Sequence, residues 1–344
     1  MPRHPSSSPV PVDHQPQRRR CLAALGAAAA TGLLPALAAA STASLKIGTV
    51  VWIGYGPFYV ADALDLYRKH GLKVTLEVFN DPALIPSAIN AGSVDGGMLT
   101  YDQVIGQVAA GRRMRVVMPI DYSNGGDAIV AQASIKGVKD FKGRKVGFNP
   151  LSPSDFLLSY ALKLHGMTEK DIVPVSMTPE AVPAAMASGQ LPIGVTYEPS
   201  LSQILSQGGG GKFKVVFSSK DAPGLIADVL VFDDKVIQAR RAAITALIKG
   251  YLDGMAYMKS NPEEAARLIG KFMGISAAEV KEQLAGVYNI PLAEMPRAFE
   301  PSQATTSYHA SAAVIAPLLK AKGQIRVIPR IEDTFDASFV RGLL

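Results

Sequence analysis

Two α/β lobes, each a mainly parallel sheet flanked by helices, are what the order of segments in this chain predicts. Three observations carry that expectation. Strand-like alternation and helix-like spacing follow one another repeatedly between Leu45 and Ile120, the pattern of a parallel sheet with crossover helices. The same order restarts at Gly143 and runs to Ser218. Between the two series lies Asp121–Asp127, a polar stretch with two adjacent glycines, set between the apolar runs Val116–Ile120 and Ala128–Ala131. It reads as strand, polar turn, strand.

Leu45–Trp52 alternates as a strand, and Gly54-Tyr55-Gly56-Pro57 breaks it. Phe58–His70 has helical spacing, with Phe58, Ala61, Leu64 and Tyr67 on one face, and Gly71 stops it. Leu72–Val78 alternates again. Pro82 suits the first turn of a helix reaching about Asn90. Val94–Leu99 is a short strand, Thr100-Tyr101-Asp102 caps a helix to about Ala110, and Arg115–Ile120 is a fourth strand. In the second series Gly143–Phe148, Ile172–Val175, Ile193–Thr196 and Lys214–Ser218 read as strands. Phe156–His165, Ala181–Ser188 and Ser200–Ser206 read as helices, Val138–Phe141 as a short one, and Gly208–Gly211 as a solvated loop. Ile226–Phe232 is a strand that returns the chain to the first lobe. The rest is mostly helical: Lys235–Ser260, a helix opened by Asn261-Pro262, and Ala277–Val287, with Ile325-Arg326-Val327 a candidate terminal strand. The expected lobes are 41–129 with 226–344, and 130–225.

With 48% hydrophobic and 19% charged residues over 344 positions, the chain has the composition of a folded protein with a substantial core. Its net charge of +6 is partly a property of residues 1–40, where Arg3, Arg18, Arg19 and Arg20 face only Asp13. The remainder keeps 31 of the 35 basic and 28 of the 29 acidic residues, a net +3, with no basic run that would suit nucleic acid. Residues 1–40 read as an export signal: a polar start, Arg18-Arg19-Arg20, an Ala- and Leu-rich stretch Cys21–Ala40, and small-residue cleavage sites at Ala36-Leu37-Ala38 and Ala38-Ala39-Ala40. The arginines before Cys21-Leu22 resemble a twin-arginine signal. Cys21 is the only cysteine, so a cleaved chain has no thiol for a disulfide, a zinc site or a nucleophile. The expected product is a periplasmic monomer, with no stable membrane insertion after cleavage.

In open parallel sheets, ligands bind beyond the carboxyl ends of strands. Those positions here hold Trp52, Tyr55 and Gly56 after the first strand, then Thr100, Tyr101 and Asp102 after the third. The central turn adds Asp121, Ser123, Asn124 and Asp127. The second lobe adds Ser152, Ser154 and Asp155, then Tyr197 and Glu198, and the return strand adds Asp228. Aromatic walls with a few polar groups suit a small-molecule cleft. Thr100 and Ser154 also fit plain helix caps, and Asp155 a helix-start charge facing water. The residues that would signal catalysis are missing: there is no Gly-x-Ser-x-Gly elbow, no phosphate loop, and no second His near His70, His165 or His309 at metal-ligand spacing. No cofactor and no metal is expected. The cleft turns carry Asp102, Asp121, Asp127, Asp155, Glu198 and Asp228 but no Lys or Arg. This favours a nitrogen-rich solute meeting Asp121, Asp127 and Glu198, over a sulfonate held by the helix start at Ser152–Asp155.

Several segments, in order, resemble the solute-binding proteins of ABC importers of the nitrate/taurine/sulfonate type. They are Trp52–Pro57, Gly71-Leu72-Lys73-Val74, Ala91-Gly92-Ser93-Val94-Asp95, Asp121–Val130, Phe141–Val146 and Glu198-Pro199, spread over roughly residues 45–300. Where that family often has Gly-x-x-Asp-Ala in the second lobe, this chain has Gly189-Gln190-Leu191-Pro192-Ile193. The resemblance implies a two-lobed periplasmic binding protein (type II), with a ligand cleft between the lobes, that closes on a small nitrogen- or sulfur-containing organic solute and delivers it to a permease driven by an ATPase. The family is also similar to a thiamine-pyrimidine synthase, which gives an enzyme alternative; a sensor domain that presents ligand to a receptor is a third reading.

Overall fold

The structure is a computed structural model that describes residues 43–344; the expected export signal lies outside the described residues. The chain enters a first sheet through β1 (Ala43–Thr49), then α1 (Gly56–Ala63), β2 (Leu72–Val78), α2 (Ile85–Asn90), β3 (Gly96–Thr100), α3 (Tyr101–Ala109) and β4 (Met114–Ser123). It crosses to a second sheet at β5 (Asp127–Gln132) and continues with β6 (Lys145–Phe148), α4 (Pro153–Leu164), β7 (Val173–Ser176), α5 (Val182–Ala187), β8 (Ile193–Tyr197), α6 (Ser200–Ser206) and β9 (Phe213–Ser218). It returns through β10 (Ala227–Asp233) to α7 (Asp234–Ser260), α8 (Pro262–Met273), α9 (Ala277–Leu284), β11 (Val287–Asn289), α10 (Tyr308–Ala321) and α11 (Ser338–Arg341).

The first sheet has the order β11-β4-β10-β3-β1-β2 and the second β7-β6-β8-β5-β9. Within the first, β1 pairs parallel with β2 and β3, while β10 lies antiparallel between β3 and β4. Within the second, β6 pairs parallel with β7 and β8, and β5 is antiparallel to both β8 and β9. Each sheet is therefore mixed, most of its strands running one way with one long strand reversed between its neighbours, and those two strands, β5 and β10, directly follow the two crossings between lobes. Apart from Asp127 and Asp228, which are buried at their starts, the buried runs of both are apolar, Ala128–Ala131 and Val229–Phe232, as expected of strands covered on both faces.

The crossings are tied to each other. Ser123 Oγ lies 2.8 Å from Ser219 Oγ, and the Gly125 N–H donates to Ser219 Oγ at 2.6 Å. The Asn124 and Gly126 N–H groups both donate to the carbonyl of Gly286, at 2.8 and 3.1 Å. At Gly126 a side chain is excluded by contact: a Cβ there would stand 2.5 Å from the Trp52 ring.

Four local expectations change. The segment Phe58–His70 is not one helix: α1 ends at Ala63, and a separate 3-10 turn covers Leu66–His70 after Asp65, which is left-handed at φ 52°. Asp is among the residues that tolerate that conformation. The break also lets the Tyr67 hydroxyl donate back to the Phe58 carbonyl at 3.2 Å. Trp52 lies beyond β1, in the connection that starts the Ile53–Tyr55 turn. The helix expected over Ala277–Val287 ends at Leu284, because Val287–Asn289 pairs with β4 as the edge strand β11. Ile325–Val327 forms no strand; Ile325 is buried and Val327 stands in solvent. The helix α10, unread in the sequence, packs on α3 through Tyr308 and Tyr101, whose ring centroids are 4.3 Å apart.

Candidate functional site

Sheet register assembles the site. In the first sheet Thr100 of β3 stands opposite Asp228 of β10, Asp228 opposite Asp121 of β4, and Asp121 opposite Asn289 of β11. One rung thus crosses four strands at the edge that faces the second lobe. In the second sheet Asp127, the first residue of β5, stands opposite Tyr197, the last of β8. Asp121 is therefore a strand residue, not a turn residue, and the turn proper is Asn124–Gly126.

Trp52 and Tyr55, from the turn after β1, close over this rung. Trp52 Nε1 is 3.4 Å from each carboxyl oxygen of Asp121, and the Tyr55 hydroxyl donates to Asp228. The edge of Trp52 meets Tyr197 of the other lobe, with centroids 5.8 Å apart and planes at 88°. Gly54 permits this arrangement, since a Cβ there would lie 2.3 Å from Asp121 Oδ2.

Between the sheets lies a cavity of about 20 Å³, lined by Trp52, Tyr55, Thr100 and Asp228 from one side and Asp127, Pro153 and Tyr197 from the other. Gln103, Val50, Pro82, Met98 and Leu99 complete the wall. That volume holds about one water molecule and is too small for an organic solute in this arrangement. No Lys or Arg lines the cavity, and Asp121, Asp127 and Asp228 have no salt-bridge partner among the described residues.

Burial without a cation governs the ionisation of these groups. Desolvation pushes the Asp121 carboxyl up to about 8, against the Trp52 N–H, which favours its charged form. Desolvation, and then the neighbouring Asp121 charge, raise Asp228 well above the ordinary carboxyl range. Desolvation pushes Asp127 up to about 7, with the Ser123 hydroxyl opposing and Asp102 and Glu198 adding repulsion. The Tyr197 hydroxyl is buried with no hydrogen-bond partner, as is Ser154 Oγ.

The remaining expected residues have other surroundings. Asp155 folds back to accept the Leu151 N–H at 3.0 Å and is bound by Lys322 and by Gln324 Nε2, the latter at 2.7 Å. Lys322 also binds Glu169 and donates to Ser159 Oγ at 2.7 Å, so the end of α10 is fastened to the second lobe. Asp102 and Asp155 line a second cavity of about 250 Å³ with Ser152, Lys322 and Gln324. Burial pushes Asp102 up to about 6. Ser152 caps α4, accepting the Ser154 N–H at 3.2 Å. Glu198 is engaged by Ser202, whose N–H and hydroxyl donate at 3.1 and 2.8 Å. Tyr101 turns into the core against Thr334 Oγ1, 2.8 Å away. Gly56 packs on Ile269, Ser123 sits in the crossing, and Asn124 is exposed. Sequence reasoning missed Gln103, although Thr100-Tyr101-Asp102-Gln103 has the spacing of a capping box, which the structure forms. Its amide reaches across to the Leu151 carbonyl at 3.2 Å.

Two mixed sheets, two tied crossings and polar strand ends converging between them are the architecture of the two-lobed periplasmic-binding-protein fold. The solved structure of the periplasmic aliphatic sulphonate binding protein SsuA from Escherichia coli superposes with a TM-score of 0.69 at 22% identity, covering 87% of this chain and 99% of that one. The NMT1/THI5 like family profile matches residues 52–265, and this chain belongs to that family. A binding protein of Brucella abortus (strain 2308) is 23% identical over 252 residues, 73% of this chain and 78% of its own. The taurine-binding periplasmic protein of Escherichia coli (strain K12) is 23% identical over 273 residues, 77% of this chain and 80% of its own.

Proposed function

We propose that this protein is the extracytoplasmic solute-binding subunit of an ABC importer. It takes a small organic solute between lobes 41–129 plus 226–344 and 130–225 and presents the closed form to a permease and its ATPase. The observation that carries this reading is the interlobe cavity, to which the strand ends of both sheets contribute polar side chains. Trp52, Tyr55, Thr100, Asp127, Tyr197 and Asp228 are the contact residues. Asp121, Ser123 and Gln103 hold them in place. The periplasmic names of the relatives support an exported site of action. No described helix is long and apolar enough to cross a membrane.

A binding role is favoured over the thiamine-pyrimidine-synthase-like alternative because the cysteine-rich motif of such an enzyme has no counterpart in a chain whose only cysteine is Cys21. The test is calorimetry and small-angle scattering on the mature protein with a panel of small organic solutes. A true ligand raises the melting temperature by mass action and lowers the radius of gyration. A saturating ligand that leaves the radius unchanged argues against closure.

A further inference from the structure

We infer that the cleft is built for a small organic cation bearing N–H groups, of the amine, amidine or guanidine class, with Asp127 as its counter-charge and the Tyr197 hydroxyl as a hydrogen-bond acceptor. This rests on the solute-binding reading above. Of the six carboxyl groups near the cleft, the fold accounts for three. Asp155 is neutralised by Lys322, Glu198 is engaged by Ser202, and Asp102 faces the second cavity. Asp121, Asp127 and Asp228 remain, all at most 4% exposed and none in a salt bridge among the described residues. Asp121 and Asp228 each accept a neutral donor, from Trp52 and Tyr55, which leaves Asp127 as the carboxyl on the cavity wall open to a solute. Buried carboxyl groups without a cation stay protonated or are costly, and a cationic solute removes that cost.

The donor inventory points the same way. An anion needs several free N–H or O–H groups, and near the cavity only the Tyr197 hydroxyl and Ser154 Oγ lack a partner among the described residues; the donors beside them are committed. The Tyr55 hydroxyl goes to Asp228, Trp52 Nε1 to Asp121, and the Gln103 amide to Pro82 and Leu151. At the start of α4 the Leu151 N–H goes to Asp155, Ser154 to Ser152 Oγ, and Phe156 to the Ser152 carbonyl. Asp155 in that first turn already complements the helix dipole. Tyr197 Oη, buried and unpartnered on the cavity wall, is an independent mark of a ligand contact. With Trp52 and Tyr55 it supplies the aromatic surface on which cations bind.

The experiment is isothermal calorimetry and thermal shift on the mature protein with methylguanidine, butylamine and acetamidine against ethanesulfonate and taurine. The expected result is stabilisation by the cations and none by ethanesulfonate. Asp127→Asn then weakens cation binding by about tenfold or more, and Tyr197→Phe weakens it less while leaving the unliganded melting temperature close to that of the parent. Stabilisation by sulfonates alone overturns the cation assignment and leaves the solute-binding reading standing. Failure of both classes to stabilise or compact the protein counts against both. Unchanged cation affinity in both variants also overturns the assignment, since Tyr197→Phe removes only one oxygen.

Discussion

Asp121 and Asp228 are direct partners across β4 and β10; the Tyr55 hydroxyl binds Asp228, while the Trp52 indole N–H binds Asp121. The consequence is a pH dependence of the unliganded protein opposite to that of a salt-bridged carboxylate. Both carboxyls are raised, as is Asp127, so the folded chain holds more protons than the unfolded one between about pH 4 and pH 8. Stability then falls as pH rises through that window. Urea unfolding at pH 5 and pH 8 should show the higher midpoint at pH 5. Asp121→Asn, which keeps the shape and removes one titrating group, should flatten the slope by ~1–3 kcal/mol across the window. An unchanged slope would mean that Asp121 is not burdened by its burial.

The affinity for a cationic solute should move the other way. Asp127 faces Asp102, Glu198 and Tyr197, with Asp121 and Asp228 on the opposite sheet, and no basic group faces it among the described residues. A bound cation favours the ionised carboxyls, so binding releases protons and tightens from pH 5.5 to pH 8. Calorimetry in two buffers of different ionisation enthalpy measures that release directly. An anion held by protonated carboxyls would bind more tightly as pH falls.

Lys322→Ala should loosen the closed form. It leaves Asp155, with a side chain only 5% exposed, without its cation, and removal of one partner of a buried pair costs about 3 kcal/mol. Lower stability, a larger radius of gyration and faster solute dissociation are expected together. Pairing it with Asp155→Asn should restore much of the stability.

Gly126→Ala should destabilise by ~1–3 kcal/mol through overpacking. The added methyl group meets the Trp52 ring on one side and the Gly286 carbonyl, 3.1 Å away, on the other. Trp52 is the only tryptophan, so its emission should report the displacement in the folded state.

The strand–helix alternation was legible in the sequence because each element is long enough to display its period. Leu72–Val78 and Ile193–Tyr197 announce themselves by their own residues. The edge strand Val287–Asn289 does not, because three residues carry no period and its identity depends on pairing with β4. The cavity residues Trp52, Tyr55, Thr100, Asp127, Tyr197 and Asp228 were legible as polar or aromatic groups at strand ends. The neutralisation of Asp155 was not: its cation comes from Lys322, beyond a helix whose docking on α3 no local pattern records. Gln103 was hidden for a different reason, since a residue that completes a helix cap reads as local structure even when its amide spans the cleft.

The Ser123–Ser219 contact means that the two crossings do not bend independently. A door hung on pins that share one bracket swings but does not slide. If the lobes close on a solute as proposed, the path of closure is then set by the polypeptide, and the solute decides only how much of the time the door is shut. Solutes that differ in chemistry should converge on one closed outline, and a partner that recognises that outline learns that the site is full without learning what fills it.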